Sequence, residues 1–204
     1  MRKSLSIVAL LFVGLLGAQS AKADPCNGFA ANLIQNCAFG TGDFTGWSGT
    51  ATADAFNFVD QGDPLAIGST PYNGLANEAA LGSSTDEDLS QTFATTVGQQ
   101  YTVQFALLND TTPDIGYIND FTATFGGTTL FSESNAAADG YTLYSFDIDG
   151  ASTSTTLDFT SENWEGYFEL DSVSVAATPE PGSLLLFGTG LLALAGAARR
   201  RLCR

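Results

Sequence analysis

Apolar and polar residues alternate with a period of two along much of this chain. Residues 101–107 place Tyr, Val, Phe and Leu at every second position, and residues 121–125 and 144–148 repeat the pattern with other apolar residues. Such alternation is typical of β-strands that bury one face. Further strand-like runs cover residues 89–97, 152–159 and 167–175.

Between these runs lie glycine-containing turn signals, and no part of residues 24–177 has an amphipathic helical period. Short strands with one apolar face each are expected to pack as two antiparallel sheets. The predicted fold class is therefore all-β, a single antiparallel β-sandwich of jelly-roll type over residues 24–177. Residues 60–77, rich in Gly and Pro, are predicted to form a long surface loop.

The N-terminus has the features of an export signal. Residues 1–23 start with a basic pair, continue with a short apolar run and end in Ala-Lys-Ala, the small-x-small pattern that signal peptidase cleaves. Because the cleavage pattern follows the apolar run directly, residues 1–23 are predicted to be a signal peptide rather than a membrane anchor.

The C-terminus has the features of a membrane span. Residues 182–198 contain no charged residue and as a helix would reach about 26 Å, enough for a bilayer core. Arg199, Arg200 and Arg201 follow and predict a stop-transfer signal that stays on the cytoplasmic side. The body is thus expected outside, before a C-terminal transmembrane helix.

Residues 178–204 resemble the PEP-CTERM sorting signal of Gram-negative bacteria. Pro179, Glu180 and Pro181 precede the span and the arginine cluster, in the order of that signal. The resemblance implies processing by an exosortase near the Pro-Glu-Pro, after transient anchoring in the inner membrane, and a destination at the cell surface or outside the cell. Such proteins typically accompany exopolysaccharide and biofilm formation. A plain membrane anchor is the alternative.

The charges divide the chain into two basic ends and an acidic body. All 7 Lys and Arg residues lie in residues 1–23 or 178–204, and the chain has no His. All but one of the 22 Asp and Glu residues lie between residues 24 and 178. Such a body repels phosphates, which excludes nucleic acid as a partner. Its carboxylates must be solvated, bonded to amide donors or neutralised by cations.

The body also lacks most catalytic side chains. Without His, Lys or Arg it cannot form a Ser-His-Asp or Cys-His arrangement or a phosphoryl-transfer site. A glycoside hydrolase needs two carboxylates only, but nothing in the sequence selects a pair among so many acids. The sequence therefore predicts that the protein is not an enzyme.

Three segments of the body resemble galactose-binding-like jelly rolls: residues 32–47 their opening strands, residues 88–110 their central hairpin and residues 166–175 their closing strand. In those folds a structural Ca²⁺ often joins an acid of the closing strand to one after the first strand. That resemblance points to Asp171 and Asp43, although Gly40 stands where the first-strand motif usually has glutamate. No cofactor is required, and backbone capping is the alternative role of these acids.

Asp171 is the stronger of the two candidate calcium ligands. It shares strand parity with Val173 and Val175, so its carboxylate is expected to point inward at the end of the sandwich. A buried carboxylate there needs amide donors or a cation.

Sugar rings stack on exposed aromatic side chains, so loop aromatics are the candidates for carbohydrate contact. Trp164 lies in a polar loop before the last strand, and Tyr72 lies in a Pro- and Gly-containing loop. Trp47 is interpreted as a tryptophan of the core or rim. Cys26 and Cys37, close together in an exported protein, are predicted to form a disulfide.

These observations predict an exported structural or adhesive protein of the extracellular polymer layer. The partners expected are signal peptidase and an exosortase during processing, and extracellular polysaccharide afterwards. A carbohydrate-binding module with a defined glycan is the alternative function, and a glycoside hydrolase is the third.

Overall fold

The computed structural model describes residues 32–60, 77–111 and 117–178. Within these ranges the chain forms a 3₁₀ turn, Thr50–Thr52, and nine strands. The strands are β1 Phe58–Asp60, β2 Glu78–Leu81, β3 Glu87–Ala94, β4 Gln100–Asn109, β5 Asn119–Phe125, β6 Thr128–Ser134, β7 Thr142–Asp149, β8 Ser154–Asn163 and β9 Phe168–Ala177.

The strands form two antiparallel sheets, one in the order β1-β2-β9-β4-β7 and one in the order β3-β8-β5-β6. The predicted all-β sandwich is confirmed, and each predicted strand-like run coincides with a strand of the structure. β1, β2 and β6 are not among the predicted strands, because two of them are very short and β6 carries mainly polar residues.

Several predictions from the sequence fall outside the described residues. They concern the signal peptide, the C-terminal helix, and the loop predicted for residues 60–77, of which residues 61–76 are not described. In the three ranges that the structure describes, no helix is long and apolar enough to cross a membrane.

Residues 32–47, predicted as opening strands, form turns and bends instead. They nevertheless bond to the last strand: Leu33 N–H donates to Val175 O at 2.8 Å, and Val173 N–H donates to Cys37 O at 2.9 Å. The Asn32 side chain bonds both Val173 O and Val175 N. This segment therefore lies beside β9 as a strand would, but its turns interrupt the ladder.

The core lies between the two sheets and is built around aromatic rings. Phe105 of β4 is fully buried and contacts Phe159 of the facing sheet edge-to-face, with ring centroids 5.2 Å apart, and Tyr144 of β7 at 5.5 Å. Phe121 of β5 stands 5.9 Å from Phe159. The alternation of buried and half-buried residues along β5 and β8 explains why period two predicts these strands.

A β-bulge in β9 changes which side chains face the core. β4 pairs Gln104 with Ser174 but Ala106 with Asp171, so the register shifts by one residue. Ser172 occupies the extra position with a φ of 55°. Val173 and Val175 belong to the core, as do Phe168 and Leu170 on the other side of the bulge. Glu169, between the latter two, and Asp171, after them, consequently face the opposite side of the sheet.

Phe105→Ala is expected to lower the free energy of unfolding by about 3–5 kcal/mol, because it removes a fully buried ring from the centre of the cluster. Leu143→Ala, in the neighbouring strand and 43% exposed, should change it by less than about 0.5 kcal/mol. Urea denaturation followed by circular dichroism measures both. Equal effects of the two substitutions would contradict this placement of the core.

Candidate functional site

The last strand of the body ends directly before the predicted sorting motif. Thr178 N–H donates to Gln100 O at 2.9 Å, and Gln99 Nε2 donates to Thr178 O at 2.9 Å. The end of β9 is therefore held against the start of β4. Outside the described residues lie the predicted sorting and stop-transfer residues Pro179, Glu180, Pro181, Arg199, Arg200 and Arg201.

The two residues predicted to hold calcium have different surroundings. Asp43 is in the loop ahead of β1, where its Oδ1 accepts bonds from Thr41 Oγ1 at 2.7 Å and from Thr45 N–H at 2.9 Å. This is the backbone capping that the sequence leaves as the alternative. In the described part of the chain, no group of three or more His, Cys, Asp or Glu residues is arranged to hold a metal ion. Calcium at Asp43 and Asp171 stays a prediction.

Asp171 does not point into the core with Val173 and Val175, so the inference from strand parity is wrong. The bulge at Ser172 inserts one residue between the valines and Asp171, which turns the carboxylate to the outer face of the sheet. Asp171 is nevertheless fully buried there, and its Oδ1 accepts a bond from Ser172 N–H at 2.5 Å.

On that outer face lies a group of buried acids that sequence reasoning missed. Glu169 precedes Asp171 by two residues on β9 and is 4% exposed, and Glu78 of β2 is 1% exposed. Tyr141, before β7, donates to Glu78 Oε2 at 2.5 Å and lies 3.5 Å from Glu169 Oε2. We call Glu78, Tyr141, Glu169 and Asp171 the buried acid face.

Burial is the largest influence on the pKa values of Glu169 and Glu78. Loss of water, together with the nearby carboxylates of Glu78, Asp110 and Asp60, raises the pKa of Glu169 to about 8, against the opposing effect of the bond from Tyr141. Burial likewise raises the pKa of Glu78, partly offset by the Tyr141 bond. Glu169 therefore holds its proton at neutral pH, in a body that has no basic side chain to offset its charge.

The predicted carbohydrate contact Trp164 is exposed, and Tyr72 lies outside the described residues. Trp164 is 52% exposed, and Tyr117, 42% exposed, stands beside it with ring centroids 5.6 Å apart. Trp164 Nε1 donates to Glu162 Oε1 at 2.8 Å, which restrains the indole ring. Together with Ile118, 40% exposed, these two rings form a surface that we call the Trp164 patch.

Trp47 is 7% exposed and belongs to the core cluster, as predicted. It stacks on Phe39 with ring centroids 5.5 Å apart, and its Nε1 donates to Asn36 O at 3.3 Å. Its outer edge lines an open pocket of about 550 Å³ together with Asp43 and Asn57. The turn-rich sequence of residues 36–47 is the only signal for this pocket, and it does not identify the lining residues.

Cys37 is fully buried and disulfide-bonded. Its predicted partner, Cys26, lies outside the described residues, so the pairing of these two cysteines stays a prediction.

Raising the pH from about 5 to about 8 is expected to lower the free energy of unfolding by about 2–4 kcal/mol. The folded state holds protons on Glu169 and Glu78 that the unfolded chain releases above its lower pKa values, so folding is favoured at low pH. Urea denaturation at several pH values measures this slope.

Glu169→Gln keeps the shape of the side chain and removes its ionisation, so it should flatten the slope. Asp86→Asn, at an exposed position, is the matched control and should leave the slope as in the parent protein. A stability that rises between the same pH values would contradict the protonated acid face.

Comparison with known proteins identifies the C-terminal segment and the fold. Residues 177–201 match the PEP-CTERM protein-sorting motif. No curated protein matches the sequence. The enzymatically active domain of bacteriophage CBA120 tailspike protein 4 is similar in fold, with a TM-score of 0.51 and 13% identity over 72% of this chain. This chain covers 21% of that protein.

Two carbohydrate-binding modules are also among the structural neighbours. One is TmCBM61 in complex with β-1,4-galactotriose, with a TM-score of 0.48 and 14% identity over 73% of this chain and 100% of that one. The other is a family 16 carbohydrate-binding module, with a TM-score of 0.48 and 16% identity over 71% of this chain and 99% of that one. The chain thus combines an all-β sandwich body with a PEP-CTERM protein-sorting motif, which indicates an exported, exosortase-processed surface protein.

Proposed function

We propose that this chain is an exported structural or adhesive protein, sorted by an exosortase and placed in the extracellular polymer layer. The observation that carries the proposal is the sorting motif at residues 177–201, which starts where the last strand ends. On this proposal residues 1–23 are removed as a signal peptide, residues 24–177 form the mature domain, and residues 178–204 serve as the sorting signal.

The position of β9 supports processing after Thr178. β9 lies in the middle of its sheet, between β2 and β4, and bonds both of them. A cut before Thr178 would remove residues from this ladder, whereas a cut within Pro179–Pro181 would leave each of its bonds intact. The folded body is thereby separated from its membrane span without loss of structure.

The double substitution Pro179→Ala and Pro181→Ala is expected to block processing. Intact mass measurement of the protein from its host should show a chain beginning near Asp24 and ending after Thr178 for the parent, found outside the inner membrane. The double variant should retain its span and stay in the membrane fraction. Pro71→Ala, a proline of the body, is the matched control and should be processed normally. Normal processing of the double variant would refute the proposed sorting.

A carbohydrate-binding role is the second candidate, and the Trp164 patch is the observation that favours it. Two exposed rings side by side, with the indole held by Glu162, present an apolar surface of the kind that sugar rings cover. The hydrolase alternative has less support. Glu78 and Glu169, the two acids that share the hydroxyl of Tyr141, are both buried, which keeps a polysaccharide away from them.

Trp164→Ala is expected to weaken binding of the host's exopolysaccharide by roughly 3–10-fold, the effect of losing about 1 kcal/mol of ring contact. Phe56→Ala removes another exposed ring, 62% accessible, and should leave binding unchanged. Calorimetric titration measures both. If the parent protein shows no saturable, sugar-specific binding, the purely structural function stands instead.

A further inference from the structure

The pocket beside Trp47 is separate from both the buried acid face and the Trp164 patch. It lies between the turn at residues 42–45 and the start of β1, and we call it the loop pocket. Its volume of about 550 Å³ is in the range of about 300–1,000 Å³ that is usual for small-molecule sites. The residues that matter for its chemistry are Asp43, Phe44, Trp47, Thr52, Asn57 and Phe58.

One wall of the loop pocket is held rigidly by side-chain bonds to the backbone. Asn36 Nδ2 donates to Asp43 O at 2.9 Å and to Thr45 O at 3.0 Å, and Asn36 Oδ1 accepts from Thr41 N–H at 3.2 Å. Phe44 packs edge-to-face on the buried Phe39 at 6.2 Å. The wall is thus formed before any ligand arrives, which lowers the entropy cost of binding.

Asp43 gives this wall a fixed negative charge. The hydroxyl of Thr41 and the backbone N–H of Thr45 donate to its carboxylate, and the side chain is exposed to water. Asp43 is therefore ionised at neutral pH and offers acceptor oxygens to a ligand hydroxyl. Asp43 is the one carboxylate among the described lining residues of the pocket.

Asn57 supplies the complementary donor. It is 6% exposed, and its Oδ1 accepts from Gly82 N–H at 2.9 Å, which fixes the orientation of the amide. Its Nδ2 group is buried and has no hydrogen-bond partner in the described ranges. A buried donor without a partner destabilises the fold, so a ligand oxygen that accepts from it would remove this cost.

Phe58 adds an apolar surface at the pocket mouth. Its ring is 41% exposed and rests against Tyr167, with centroids 5.3 Å apart and an interplanar angle of 75°. The loop pocket therefore combines an ionised acceptor, an amide donor and an aromatic ring within one small space. Hydroxyl groups on a ring with an apolar face satisfy all three at once.

We propose that the loop pocket binds a neutral pyranose unit of a polysaccharide, with its hydroxyls on Asp43 and Asn57 and one ring face towards Phe58. The choice of a sugar over another polyol rests on the proposed place of the protein in the polymer layer. The negative charge of Asp43 discriminates against uronic acids, which carry a carboxylate of their own.

The test is calorimetric titration of the full-length chain, solubilised in a detergent without a sugar headgroup. The probes are the methyl pyranosides of glucose, galactose and mannose, with galacturonate as the anionic comparison. At least one neutral pyranoside should bind saturably at millimolar concentration, and galacturonate should bind more weakly. Because the unprocessed chain is used, failure of the sorting proposal leaves this result unaffected.

Asp43→Asn is the decisive variant, since its Oδ1 keeps the bonds to Thr41 and Thr45 while the charge is lost. It should raise the dissociation constant by at least about tenfold. Asp54→Asn is the matched control, because Asp54 caps Phe56 N–H in an equivalent turn at 2.7 Å outside the pocket, and it should change the constant by less than about twofold. Asn57→Asp keeps the acceptor for Gly82 and should also weaken binding.

No saturable binding of any neutral pyranoside, equal affinity of the parent and Asp43→Asn, or tighter binding of galacturonate would each overturn the proposal. Melting curves followed by circular dichroism confirm that the Asp43 and Asp54 variants are folded, so a loss of affinity reports on the pocket itself.

Discussion

The body of this protein has to accommodate its carboxylates without a single basic side chain, because residues 24–178 contain no Lys, Arg or His. Some acids bond to hydroxyl and amide donors in turns: Asp88 accepts from both Thr50 N–H and Thr50 Oγ1, and Asp110 accepts from Tyr167 N–H. Glu169 is buried instead, and its raised pKa leaves it protonated at neutral pH, so that a proton takes the place of the missing cation. The stability of the fold is thereby coupled to proton concentration.

Much of the fold could be predicted from the sequence, because a strand that buries one face carries an apolar residue at every second position. β5 alternates buried and half-buried residues along its whole length, so Phe121 and Phe125 identify it as a strand. β9 is different, since nine of its ten residues are buried, so burial does not separate its two faces, although polar and apolar residues alternate on each side of the bulge. Residues 32–47 mislead for another reason: they bond to β9 as a strand would, while their turns depend on Asn36 and Phe39 at positive φ.

The candidate sites were harder to predict than the strands. The exposure of Trp164 follows from its polar loop, which is a local property. The direction of Asp171 depends on a single inserted residue, Ser172. The adjacent polar residues Asp171 and Ser172 interrupt the period-two pattern at this point, so strand parity does not carry across them. The buried acid face and the loop pocket each join residues distant in sequence, such as Glu78 with Glu169 and Asp43 with Asn57. Only the pairing of β2 with β9 and the fold of the first loop bring them together.

β9 connects the sorting motif to the sites of the body. It carries Glu169 and Asp171, it holds the first loop through the bond from Val173 N–H to Cys37 O, and it ends one residue before Thr178. Removal of the residues after Thr178 deletes none of the described contacts of the loop pocket or of the Trp164 patch, because every residue of both precedes that point. On the proposed function, delivery and recognition are thus separated along the chain: export depends on residues that processing removes, and contact with the polymer layer depends on residues of the body.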